Sequence, residues 1–107
     1  MPKEDRRIIF SNDEVYKALY TLRDQKNLKA LPLGQIITTG VDAGDPNKMF
    51  FILEDQHAQT HAKIEHFRDF VAAALMLYCK GYGIPLPKNA QKSVMIQEDM
   101  VILRVQM

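Results

Sequence analysis

Residues 67–81 read FRDFVAAALMLYCKG, and this segment decides the fold of the chain. Large apolar residues recur in it at helical spacing, three and four positions apart. The resulting stripe consists of Phe67, Phe70, Val71, Ala74, Leu75 and Tyr78. Either Gly81 or Gly83 can supply the left-handed residue that ends such a helix. The segment therefore predicts a helix that packs against the rest of the domain through this stripe.

The same helix is also apolar outside the stripe, at Ala72, Ala73 and Met76. A helix that is apolar nearly all round must be covered on more than one side. Either the sheet of the domain wraps around it or a second copy of the chain covers part of it. Closed two-fold dimers are the commonest assemblies of soluble proteins. We therefore expect a homodimer with Ala72, Ala73 and Met76 at the interface.

An earlier helix is predicted from a capping box formed by Ser11 and Glu14. In this arrangement the Ser side chain accepts a hydrogen bond from the Glu amide, and the Glu side chain accepts one from the Ser amide. An apolar stripe at helical spacing follows the cap. The stripe consists of Val15, Ala18, Leu19 and Leu22. A helix that begins after Ser11 buries this stripe.

Three strands are predicted between the two helices. Residues 35–41 are rich in Ile and Thr, whose branched side chains pack well on a pleated surface. A dense group of turn-forming residues follows at positions 42–47. Residues 49–53 are apolar at every position, which is typical of a central strand covered on both faces. Residues 60–66 alternate between apolar and polar side chains, as a half-buried strand does.

The two ends of the chain complete the predicted order of elements. Residues 8–10 form a short apolar run that suits an edge strand, and residues 1–6 are expected to be disordered. Residues 93–97 and 100–105 predict a terminal hairpin that turns at Glu98 and Asp99. The order is β-α-β-β-β-α-β-β. We predict one α+β domain over residues 1–107, with two helices packed on a mainly antiparallel sheet.

Composition limits the classes of function. The chain has 107 residues, so a second independent core is not expected. Its 14 Lys and Arg residues nearly balance 13 Asp and Glu residues, so no global field attracts a polyanion. The single cysteine excludes an internal disulfide. The longest uncharged apolar run, residues 70–79, is half the ~20 residues that a membrane span requires. We expect a cytoplasmic protein without a leader or a membrane partner.

The histidines form the first candidate site. His57, His61, Glu65 and His66 all lie within ten residues of one another. On a helix, side chains four positions apart could share a metal ion, but on a strand they are ~13 Å apart. The alternating pattern of residues 60–66 favours a strand. The cluster is therefore interpreted either as a solvated polar face of that strand or as a metal site or acid–base pair.

The loop from Lys80 to Lys92 forms the second candidate site. It contains Lys80, Lys88 and Lys92, no acidic residue, and Tyr82 between two glycines. Lysines interleaved with an aromatic residue suit a phosphate backbone and a stacked base. The prolines of the loop also suit a rigid connector. Arg6, Arg7 and Arg68 could extend the basic patch if they lay on the same side.

These observations give three functional hypotheses. The first is a small, self-associating, non-catalytic interaction module with a protein partner. The second is a nucleic-acid-binding module that uses Lys80, Tyr82, Lys88 and Lys92. The third is a metal-dependent or acid–base enzyme built on the histidine cluster. Cys79 lies in the most apolar segment, where a thiol is expected to be inert. The sequence therefore assigns no catalytic residue and no cofactor.

Overall fold

The computed structural model describes residues 3–107 and contains two helices and six strands. Along the chain these elements are β1 (Asp5–Phe10), α1 (Asn12–Gln25), β2 (Gln35–Val41), β3 (Lys48–Asp55), β4 (Thr60–Phe67), α2 (Arg68–Gly81), β5 (Gln91–Gln97) and β6 (Met100–Gln106). The predicted element order and the α+β class are confirmed.

The strands form two antiparallel sheets of three strands each, where the sequence suggested one sheet. The first sheet has the order β1-β6-β5, and the second has the order β2-β3-β4. β1 is an edge strand, as predicted. It pairs with the C-terminal strand β6, although almost the whole chain separates the two strands in sequence. Both helices pack on the two sheets, and the domain measures 54 × 29 × 20 Å.

α1 begins where the sequence predicts it. The Glu14 amide donates to Ser11 Oγ over 3.2 Å, and the Ser11 amide donates to Glu14 Oε1 over 2.9 Å. The capping box is therefore complete. All four residues of the predicted stripe are buried in the core: Val15, Ala18, Leu19 and Leu22.

α2 begins one residue later than its apolar stripe suggests. Phe67 is the N-cap residue and 59% exposed, so its inclusion in the buried stripe was wrong. The chain is still extended at Phe67, and the ring consequently points away from the face that the helix buries. The buried side chains of α2 are Val71, Ala74, Leu75 and Cys79.

Arg68, the first residue of α2, joins the two sheets. Its Nε donates to the Pro46 carbonyl oxygen over 2.6 Å, and its Nη1 donates to the carbonyl oxygen of Val94. Pro46 lies in the turn between β2 and β3, and Val94 lies in β5 of the other sheet. One guanidinium therefore links a backbone carbonyl of the β2–β3 turn to a backbone carbonyl of β5 in the other sheet.

β3 is the central strand of its sheet, as predicted, but it is fully buried on one face only. Met49, Phe51 and Leu53 point toward the helices and are at most 1% exposed. Phe50 and Ile52 point to the other face, where they are partly exposed. The prediction that this strand is covered on both sides was wrong for the single chain.

The first and last strands of the described chain, β1 and β6, pair with each other. β1 begins at Asp5, inside the segment predicted to be disordered, and Arg104 Nη2 lies 2.7 Å from Asp5 Oδ2. Residues 1 and 2 of that segment lie outside the described residues. Glu98 and Asp99 turn the terminal hairpin with φ angles of 52° and 61°. Neither helix of the described chain is long and apolar enough to cross a membrane.

Candidate binding groove

A groove of about 670 Å³ opens between the C-terminal half of α2, the loop that follows it and the start of β5. We call it the lysine groove. Its lining consists of Met76, Lys80, Gly83, Ile84, Pro85, Leu86, Lys88 and Lys92. The three lysines singled out from the sequence are all in this lining. They come from a helix, a loop and a strand, and the fold brings them together.

The end of α2 fixes the direction in which the loop leaves the helix. Gly83 has φ +71°, and its amide faces the Lys80 carbonyl oxygen at 3.4 Å. The Ile84 amide donates to the Cys79 carbonyl oxygen over 2.8 Å. These two hydrogen bonds form a Schellman motif, in which the left-handed residue is normally glycine. Gly83, one of the two glycines proposed from the sequence, thus ends the helix and directs Ile84 back toward it.

The floor of the lysine groove is aliphatic. Ile84 and Leu86 are half-buried and pack against the core, so the loop is held on the domain by its own apolar side chains. Met76 lies one helical turn before Lys80, so both side chains are on the same face of α2. The unbranched Met side chain adapts to the shape of whatever contacts it.

The rim of the groove is positively charged. Lys80 and Lys88 are exposed, while Lys92 is half-buried and its Nζ donates to the Ala90 carbonyl oxygen over 3.3 Å. The lining contains no Asp or Glu side chain within the described residues. The groove therefore joins an apolar floor to an uncompensated cationic rim.

Arg6 adds a fourth cation beside the groove. Its Nη1 donates to the carbonyl oxygen of Pro85, a lining residue, over 3.2 Å. Arg7 follows it in β1, so its side chain points to the opposite face of the sheet. Arg68 is at the other end of α2, hydrogen-bonded to the β2–β3 turn and to β5. Of the three arginines considered from the sequence, only Arg6 extends the basic patch.

Tyr82 does not line the groove. It is 63% exposed, and its ring stacks on Tyr78 with the centroids 4.3 Å apart. Tyr78 in turn donates from its hydroxyl to Glu14 Oε2 over 3.2 Å. Desolvation and this carboxylate raise the pKa of the Tyr78 phenol. Of the predicted nucleic-acid-binding residues, the fold groups Lys80, Lys88 and Lys92 and leaves the aromatic residue outside.

The histidine cluster is divided between different parts of the second sheet. His57 lies in the β3–β4 turn, where its amide donates to Asp55 Oδ1 over 3.0 Å. His61 and Glu65 point to the exposed face of β4, and Glu65 Oε2 lies 2.9 Å from Lys48 Nζ. His66 points to the helix side. Among residues 3–107 no group of three or more metal-ligating side chains comes together.

His66 has a defined environment of its own. Arg23 Nη1 lies 3.0 Å from His66 Nε2, and the imidazole stacks on Phe70 with the centroids 4.2 Å apart. Burial and the Arg23 charge lower the pKa of this histidine from 6.5 to about 4. Because a guanidinium can only donate, His66 Nε2 accepts and the ring is neutral. Arg23 therefore occupies His66 Nε2, which is not free to bind a metal ion in this arrangement.

The residues predicted for a dimer interface have two different environments. Ala72 and Ala73 are half-buried against the core, whereas Met76 lies in the floor of the lysine groove. The structure holds one chain, so the homodimer stays a prediction. Cys79 is fully buried, and this burial raises the pKa of its thiol although Arg6 partly opposes the shift.

Sequence reasoning missed the apolar half of the groove and its fourth cation. The sequence suggests that Ile84 and Leu86 belong to a rigid connector and that Met76 lies at a dimer interface. The four-residue spacing of Met76 and Lys80 is a signal that could have placed them together. Nothing in the sequence places Arg6 beside Pro85, because 79 positions separate them.

Comparisons with protein-family models, curated proteins and solved structures gave no match for this chain. The function must therefore be argued from the geometry and charge of the surfaces described above.

Proposed function

We propose that this protein is a non-catalytic binding module whose lysine groove holds an acidic segment of a partner protein that also carries apolar side chains. The observation that supports this proposal most directly is the convergence of Lys80, Lys88 and Lys92 on one aliphatic floor without a carboxylate in the lining. Cations and aliphatic surface supply binding energy and orientation, which is the chemistry of recognition.

The charge of the groove supports an anionic partner. The whole chain carries a net charge of +1, so the positive field is a local property of this end of the domain. Three lysines around one concave surface, with Arg6 beside them, attract an acidic segment and raise its rate of association. Because these lysines are largely on the rim, each ion pair contributes modestly to the affinity, about 0.5–1 kcal/mol.

The floor of the groove supports a peptide over a nucleic acid. Bases are usually held by stacking on aromatic side chains, and the lining contains none in the described chain. Tyr82, the aromatic residue of this loop, is stacked on Tyr78 outside the lining. Met76, Ile84 and Leu86 instead present flexible and branched aliphatic surface, which suits Leu-like side chains.

The experiment is a titration of isotopically labelled protein with three synthetic peptides, followed by NMR. The first peptide alternates Glu and Leu, the second replaces each Glu by Gln, and the third replaces each Leu by Ser. We expect only the first to shift the amide signals of Met76, Lys80, Ile84 and Leu86 at low salt. Since exposed ion pairs are screened, the affinity should fall as salt is added.

The variant that tests the rim is the triple change of Lys80, Lys88 and Lys92 to Gln. At about 0.5–1 kcal/mol for each exposed ion pair, it should weaken binding of the Glu–Leu peptide about 10- to 100-fold.

A matched control changes Lys17, Lys26 and Lys29 to Gln. It removes the same number of charges from residues that do not line the groove, and should leave the affinity within about twofold of wild type.

Three results would contradict the proposal. One is the absence of shifts with millimolar Glu–Leu peptide, and another is shifts that lie elsewhere on the domain. The third is preferential binding of oligothymidylate in the lysine groove, with a slope of log affinity against log salt near −2 for three contacts. That result would establish the nucleic-acid-binding alternative in place of the peptide.

A further inference from the structure

We propose that the outer face of the second sheet is the surface through which two copies of this chain associate. We call this surface the open face. It consists of the outward side chains of β2, β3 and β4, among them Lys48, Phe50, Ile52, Glu54, Lys63 and Glu65. It lies on the side of the sheet opposite the helices and is distinct from the lysine groove and from the α2 surface.

The first observation is that β3 has the composition of a strand buried on both faces. Residues 49–53 are Met-Phe-Phe-Ile-Leu, and such continuous apolar runs are typical of strands covered on both sides. The inward residues are covered by the helices, whereas Phe50 and Ile52 are partly exposed, with Lys63 Nζ over the Phe50 ring at 5.1 Å from its centroid. Neither of these two side chains packs against the core, so within the described residues this half of the apolar strand has no second layer of structure over it.

The second observation is that the open face is apolar at its centre. The Phe50 ring lies over Gly40 of β2, so closely that a Cβ on Gly40 would collide with the tip of the ring. Ile52 follows Phe50 on the same face of β3, while Ile37 and Phe67 lie on the flanking strands and are 45% and 59% exposed. Two such faces can pack against each other as the two sheets of a β-sandwich do.

The third observation is the balance of charge, which favours a second copy as the occupant. The apolar centre is flanked by two lysines, Lys48 and Lys63, and by two glutamates, Glu54 and Glu65. Lys48 and Glu65 already form an ion pair within the chain at 2.9 Å, which leaves Lys63 and Glu54 to pair across the two copies. In a two-fold dimer the same patch faces itself, so it must be complementary to itself. A face with both signs can satisfy this condition. The lysine groove cannot, because two uniformly positive surfaces repel each other.

The size of the open face sets the expected affinity. Three strands about 4.8 Å apart and about 25 Å long give a projected area of roughly 350 Å², below the ~800 Å² per partner of a standard interface. We therefore expect a weak, transient dimer, with a dissociation constant on the order of 100 µM. Sedimentation of the wild-type protein from about 10 to 200 µM should show a monomer–dimer equilibrium.

Two glutamate substitutions locate the interface. Ile52→Glu places a charge at the centre of the open face and should shift dissociation to at least about tenfold higher concentration, while circular dichroism shows a folded protein. Met76→Glu is the control on α2, in the lysine groove, and should leave the equilibrium unchanged. Dissociation by Met76→Glu with a dimeric, folded Ile52→Glu would refute the proposal and favour the α2 interface.

Charge-reversed pairs keep the test decisive if Ile52→Glu unfolds. Changing Lys48 and Lys63 to Glu makes the open face negative, and changing Glu54 and Glu65 to Lys makes it positive. Each variant alone should be monomeric, and an equimolar mixture should form a heterodimer. A wild type that stays monomeric at about 200 µM, or a mixture that does not associate, would overturn the proposal.

Discussion

Replacing His66 should remove a specific part of the pH dependence of stability. The histidine lies between Arg23 and Phe70, and its pKa is lowered from 6.5 to about 4 by burial first and by the Arg23 charge second. Lys26 lies beside the same aromatic ring, with Nζ 5.8 Å from the Phe70 centroid. Of these two cations, Arg23 is the one whose charge opposes protonation of the imidazole.

The sign of the effect follows from the two pKa values of His66. Between pH 6.5 and about 4 the unfolded chain binds a proton that the folded chain does not. Acidification through this range therefore destabilises the folded state, and the loss is complete below about pH 4. The shift corresponds to an upper limit of about 3 kcal/mol at 1.36 kcal/mol per pKa unit. Because the ring is partly solvated, we expect about 1–2 kcal/mol.

Urea denaturation of the wild type, His66→Gln and His61→Gln between about pH 4 and 7.5 measures this contribution. The Gln side chain of the first variant would keep an acceptor for Arg23 but has no titrating group. This variant should therefore lose about 1–2 kcal/mol less on acidification than wild type. His61 is exposed on the other face of β4 and provides the matched control. An equal loss in wild type and His66→Gln would refute the assignment.

Three further changes should alter stability at sites that the structure defines. Ser11→Ala removes one half of the capping box and should cost about 1 kcal/mol, whereas an unchanged urea midpoint would contradict the observed start of α1. Asp99→Gly places glycine where φ is +61° and should stabilise the terminal hairpin by about 1 kcal/mol in thermal unfolding; a lower melting temperature would contradict this reasoning. Thr39 Oγ1 is buried without a hydrogen-bond partner in the described chain, so Thr39→Val should stabilise by about 1 kcal/mol, and a loss of stability would indicate an unseen partner.

Local patterns predicted most of the fold because they depend on near neighbours. The capping box at Ser11 and the helical stripe of α1 require only residues within a few turns, and both are observed. The division into two sheets was not predictable in this way. It depends on pairing Phe10 with Val101 and on the bonds from Arg68 to Val94, which join distant parts of the chain.

The candidate site was predicted in part for the same physical reason. Lys80, Lys88 and Lys92 were recognisable as a local run of cations without acids. Their convergence depends on the Schellman turn at Gly83, which reverses the chain after α2. The apolar run of β3 illustrates the converse case. Its continuous apolar side chains predict burial on both faces of the strand. If the open face is an interface, the second copy of the chain supplies the cover on the outer face.

The lysine groove and the open face differ in charge and lie on different layers of the domain. If both are used at once, the binding of a partner with two acidic segments depends on the dimer. A dimer formed through the open face would present two lysine grooves to solvent, since α2 and its following loop lie on the helix side of each copy. A partner with two acidic segments could then bind both grooves, and the second contact would occur at an effective concentration in the millimolar range if the linker spans them. Ile52→Glu should consequently weaken binding of a tandem Glu–Leu peptide and leave binding of the single peptide unchanged. Equal effects on the two peptides would show that Ile52→Glu perturbs the groove itself, and the two surfaces could not then be treated as independent.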